Sequence, residues 1–108
     1  MGHMSAEADF EQVGLQLADL GVKISKMFGS PALKDPNGKA FACLQKNGAM
    51  VFRLVRDTSE HEAALKLKGA ELFDPSGQGK AMKDWVVVPH EFAGQWPTFA
   101  EAALSRPR

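Results

Sequence analysis

The sequence predicts an α+β fold: an antiparallel sheet with helices packed on it, in the order α-β(3)-α-β(2)-α. Three observations predict it. Phe10, Val13, Leu17 and Leu20 recur at spacings of three and four, the period of one apolar helical stripe. Asn47-Gly48 stands between two apolar runs, a strong short-range hairpin signal. Trp85-Val86-Val87-Val88 is an unbroken apolar run, as in a strand buried on both faces.

The first helix is expected over residues 5–20. Ser5 supplies a cap, Glu7 and Asp9 suit the positive end of the helix dipole, and Gly21 is a stop. Val22, Ile24 and Ser25 favour extended chain, and residues 23–34 read as one bulged strand. Gly29 and Pro31 interrupt its pairing, because one permits unusual dihedrals and the other donates no hydrogen bond. Asp35-Pro36-Asn37-Gly38 is a turn by composition.

Residues 39–46 and 49–56 then form the hairpin. A two-residue turn sets Lys46 against Ala49, Cys43 against Phe52, and Phe41 against Leu54. One sheet face then carries Phe41, Cys43, Met50, Phe52 and Leu54, the expected core face. The other carries Ala40, Ala42, Leu44, Val51, Arg53 and Val55. That face is too apolar to be fully wet, so another element or a partner should cover it.

Asp57-Thr58-Ser59-Glu60 matches a capping box and opens a second helix that stops at Gly69. A short strand at residues 70–73 and a loop at 74–80 lead to the last strand at residues 83–88. A final helix begins near Glu91 or near Trp96, where Pro97 suits a first turn, and ends about Leu104. Phe41, Met50, Phe52 and Trp85 are expected to point inward together.

The 108 residues suit one domain, residues 5–105, with a cloning remnant at 1–4 and a short tail at 106–108. Composition is that of an ordinary globular protein, 44% hydrophobic and 24% charged. Neither a membrane span nor a secretory leader is expected. Cys43 is the one cysteine, so a reducing cytoplasmic setting is expected, with Cys43 as a small buried hydrophobe rather than a reactive thiol.

Formal charge sums to zero, but unevenly. Across residues 23–56, Lys23, Lys26, Lys34, Lys39, Lys46, Arg53 and Arg56 face Asp35 alone, a balance of +6. That leaves two readings: a solvated sheet surface balanced by acidic helices, or an anion-facing patch. The predicted hairpin register opposes Lys39 to Arg56, which is unfavourable unless the ladder frays or an anion lies between them. Lys80 and Lys83 could join that edge.

Catalytic patterns are not matched. Gly38-Lys39 and Gly79-Lys80 lack the earlier glycine and following hydroxyl residue of a phosphate loop, and read as turns entering strands. His61 and His90 lack a partner at metal-ligand spacing. Ser25, Ser30 and Ser76 have no nucleophile-elbow context. No cofactor is expected. Trp85 and Met27-Phe28 could stack on a nucleic-acid base, with core filling as the plainer reading.

Met27-Phe28-Gly29, Gly38-Lys39 with Phe41, and Met82-Lys83 with Trp85-Val86-Val87 together resemble the TfoX N-terminal domain family, related to the YjbR/MmcQ-type proteins. The resemblance covers roughly residues 20–104. This chain has Ser30-Pro31 where many relatives carry a second glycine. The resemblance implies a secretion-chaperone-like α-β(3)-α-β(2)-α fold and a bacterial origin. In the namesake regulators of DNA-uptake competence a helical C-terminal domain follows, whereas this chain stops at Arg108, so a stand-alone domain is expected. The family brings no catalytic residues to carry over.

The functional expectation is a non-enzymatic interaction or regulatory domain that meets a protein partner, or itself as a dimer, through Leu44, Val51 and Arg53. The alternative is weak binding of nucleic acid or another polyanion by Lys39, Arg53, Arg56, Lys80 and Lys83. A small-molecule enzyme ranks last.

Overall fold

A computed structural model describes residues 6–27, 30–45, 47–56, 58–74 and 82–105, with the side chains of Met27 and Ser105 left out. Expectations for the remnant, Ser5, Phe28, Gly29, Lys46, Asp57, Ser76, Lys80 and the tail lie outside the described residues.

The first helix, α1 (Ala6–Gln16), buries Phe10, Val13 and Gly14. It is shorter than expected. After Gln16 the chain tightens into a 3-10 turn, Ala18–Leu20, closed by Gly21 in the left-handed region at φ 89°. Leu17 stays buried, but Leu20 is 56% exposed. Tightening from 3.6 to about 3.0 residues per turn rotates Leu20 off the stripe.

The expected single bulged strand is two strands, β1 (Lys23–Met27) and β2 (Ser30–Lys34), which pair antiparallel from Lys23↔Lys34 to Met27↔Ser30. The breakers mark a reversal of the chain, not a bulge. The first block therefore holds four strands, not three. β3 (Ala40–Leu44) and β4 (Met50–Arg53) follow, then α2 (Ser59–Leu65), β5 (Glu71–Phe73), β6 (Met82–Val88) and α3 (Trp96–Ser105). A 3-10 segment, His90–Gln95, leads into α3. Thr58 caps α2, its hydroxyl accepting from His61 N–H at 3.2 Å; Asp57 had been expected there. The helix also stops short of Gly69, which occupies a later turn at φ 86°.

All six strands form one antiparallel sheet in the order β1-β2-β3-β4-β6-β5. The fold class is α+β, as expected. The β3–β4 register differs by one residue: Cys43 faces Val51, Ala42 faces Phe52 and Leu44 faces Met50. Gln45 and Ala49 bracket a three-residue loop, with Ala49 O accepting from Gln45 N–H at 2.8 Å and Gly48 at φ 92°. A three-residue loop closing on a left-handed glycine is the next most common hairpin after the two-residue turn.

Because side chains alternate, one residue of slip exchanges the β3 partners between faces. The helix side carries Leu33, Ala42, Leu44, Met50, Phe52, Leu54, Val86 and Val88, in one cluster with Phe10, Val13, Leu17, Trp96 and Phe99. The far side carries Ala32, Cys43, Ala49, Val51 and Val87, with Phe73 and Trp85 packed against them. Cys43 and Trp85 therefore leave the expected core face, and Leu44 joins it. Phe41 reaches the helix-side core because the β2–β3 register shifts there: Leu33 faces Ala42 but Lys34 faces Ala40, leaving Phe41 unmatched.

Candidate interaction surface

The residues first expected to form a partner face do not share one. Leu44 is 3% exposed on the helix side and Val51 is fully buried on the far side. Arg53 pairs with Trp85 and stays half-buried.

The expected basic edge is also dispersed. Lys39 lies in the turn after β2, its backbone N–H donating to Asp35 Oδ1 at 2.9 Å. The ladder does not oppose it to Arg56. Arg56 instead donates from its backbone N–H and from Nε to Asp84 Oδ1, at 2.9 and 3.0 Å. These bonds from Arg56, aided by its charge and by Arg53, hold the Asp84 carboxyl below the usual carboxylate range. Asp84 thus offsets charge that the sequence alone leaves unopposed. Lys83 is exposed in β6, while its carbonyl accepts from His61 Nε2 at 2.7 Å.

The remaining family-signature residues take structural places. Gly38 adopts φ 84° in the turn, which permits that reversal without strain. Met27 closes β1 and Met82 opens β6 with 41% exposure.

His61, His90 and Cys43 are held in packing or hydrogen-bond contacts. His61 is buried under its bond to Lys83. His90 Nε2 donates to Asp9 Oδ2 at 2.6 Å and its ring lies 5.5 Å from that of Trp96, tying α1 to the segment before α3. Sequence reading missed this pair, since the two residues are 81 positions apart. Burial pushes the Cys43 thiol up to about 11. Among the described residues, no group of three His, Cys, Asp or Glu could hold a metal ion. None of the described helices is long and apolar enough to cross a membrane.

An open cleft lies at the β1 margin of the sheet. β1 pairs with β2 alone among the described strands, leaving its other edge unpaired. Above it runs α1, seated so closely that a Cβ on Gly14 would come within 2.8 Å of Ile24 Cδ1. Ile24 therefore faces α1, and by alternation so does Lys26. Between helix and strand lies an open cleft of about 360 Å³, lined by Glu7, Phe10, Glu11, Ile24, Lys26 and Pro31 among others. Its floor is apolar, one rim is acidic and the other carries a lysine. Among the described residues, Glu7, Glu11 and Lys26 have no ion-pair or side-chain hydrogen-bond partner.

Among the described residues, the exposed large hydrophobics are Leu15 at 66%, Leu20 at 56%, Ile24 at 49% and Met82 at 41%, and of these Ile24 lines the cleft. Sequence reading passed over this surface because it took Ile24 only as a strand former. The available signal was Glu7 and Glu11 one turn apart, flanking Phe10 of the apolar stripe.

The fold is an α+β domain whose β1 margin carries an open, partly apolar cleft. Comparison with family models finds no match for the chain, and comparisons with curated proteins and with solved structures find none either.

Proposed function

We propose that this chain is a non-enzymatic protein-interaction domain whose contact surface is the α1–β1 margin. One observation carries the reading: an unpaired strand edge lies beside an apolar cleft whose charged rims have no partners of their own. Such an edge binds an extended segment by main-chain hydrogen bonds, while pockets beside it select alternate side chains. The segment that fits carries apolar and basic residues at every second position, so that both kinds face α1, the apolar ones meeting Phe10 and Ile24 and the basic ones meeting Glu7 and Glu11. The resemblance to the TfoX N-terminal domain supports a regulatory or adaptor role, and the buried Cys43 thiol is consistent with a reducing cytoplasm.

The test is a nuclear magnetic resonance titration with a synthetic peptide of residues 22–27, itself such a segment. Expected are shift changes confined to α1 and β1, lost in Ile24→Asp. No binding, or changes elsewhere, overturns the reading. The polyanion alternative is favoured only if heparin binds at low salt and moves Arg53, Arg56 and Lys83, with affinity falling steeply as salt is added.

A further inference from the structure

We infer that the segment received by β1 is β1 of a second copy, so that two molecules join edge to edge into one continuous antiparallel sheet. This rests on the interaction reading above and names its partner.

The argument begins with register. Pairing β1 with its own copy about a two-fold axis at Ser25 opposes Ser25 to Ser25, Ile24 to Lys26, and Lys23 to Met27. All five residues of the strand find partners, and no lysine faces a lysine, which would be unfavourable. Opposed residues then have the same parity, so the helices of both copies lie on one side of the joint sheet.

Charge follows the same geometry. Each Lys26 stands beside the other copy's Ile24, on the side where Glu7 and Glu11 rim the cleft. Two unpartnered carboxylates one helical turn apart are mutually unfavourable, and a lysine from outside relieves that. The contact is self-complementary, as a two-fold interface requires: each copy offers one lysine and receives one. It also covers Ile24, which is left 49% exposed in the single chain. Lysines on an edge strand ordinarily deter pairing, and here they admit only a partner that brings carboxylates to meet them.

Sedimentation of the untagged chain over a wide concentration range, with amide hydrogen exchange at each concentration, tests this. Expected is a monomer–dimer equilibrium in which β1 amides gain protection as dimer forms. Lys26→Glu should weaken dimerisation about tenfold or more, since it sets like charges together. The double variant Lys26→Glu with Glu11→Lys should restore it to within about threefold of the unaltered chain, which a merely misfolded single variant would not permit. A monomer at every concentration, a dimer protected elsewhere, or a double variant no better than the single overturns the inference. If the chain stays monomeric while the peptide of residues 22–27 still binds at β1, the second copy is excluded and the interaction reading stands. If neither event occurs, both fail.

Discussion

On its helix side the sheet presents Leu33, Leu44, Met50, Phe52, Val86 and Val88, and α1 and α3 close over them with Phe10, Val13, Trp96 and Phe99. On its far side it presents Ala32, Cys43, Ala49, Val51 and Val87, flanked by Phe73 and Trp85. Both sets are buried, yet they differ in bulk. The larger set packs against the helices, whereas the smaller set packs against Phe73 and Trp85. Among the described residues, neither of these sets is open to a partner, whereas Ile24 of β1 is 49% exposed. The proposed contact surface is therefore the β1 margin.

The largest effect should come from emptying the helix side. Phe52 is fully buried and its ring centroid lies 6.0 Å from that of Phe99. Phe52→Ala should cost about 3–5 kcal/mol in urea unfolding, through lost burial and the cavity left behind. On the far side, Val51→Ala should cost about 2 kcal/mol, since it removes fewer buried carbons. Equal losses at the two positions would show instead that the far side is the more rigidly packed.

Why the contrast was only partly legible in the sequence is itself physical. Helical stripes and the apolar run of β6 are local patterns, and Phe10, Val13, Leu17, Val86 and Val88 all landed in the core they imply. The division between faces was set by something smaller, a single residue in the loop before Ala49. Asn47-Gly48 suits a two-residue turn and also the tail of a three-residue loop, and here Asn47 Oδ1 accepts from Ala49 N–H at 3.0 Å within the longer one. That choice moved Cys43 and Leu44 to opposite sides from those expected. Likewise, glycine and proline at 29 and 31 signal a break in pairing without saying whether the chain bulges or reverses. The margin at β1 escaped notice because its cleft joins residues from α1, β1 and β2, a proximity that no local period encodes.

Cys43 tests the far side by chemistry. With burial raising its pKa to about 11, the thiol stays protonated at pH 8 in the folded chain and should react with a disulfide reagent only on opening. In the unfolded chain it ionises near 8.5, so the stability owed to the buried neutral thiol is present below that pH and fades as pH rises toward 11. Cys43→Ser should cost about 1 kcal/mol or more, because a hydroxyl is costlier to bury there than a thiol. Rapid labelling of the native protein at pH 8 would mean that the far side is not closed.

The smallest effect belongs to the rim, where Arg56 meets Asp84. Asp84 has its folded pKa held below the unfolded value near 3.9, so the pair stabilises the fold above that range. As pH falls through the lower folded value the carboxylate takes up a proton and the contribution disappears. Both side chains are substantially exposed, 53% for Arg56 and 36% for Asp84, so solvent screening keeps the gain under about 1 kcal/mol. Asp84→Asn retains an oxygen for the Arg56 backbone N–H but loses the charge. Its stability deficit, followed by urea unfolding, should therefore be greatest near neutral pH and in low salt, and should shrink toward pH 3. A deficit that stayed constant across that interval would assign the contact to hydrogen bonding alone. The basic residues around it would then owe little to Asp84's charge, and the polyanion alternative would regain the ground that this carboxylate takes from it.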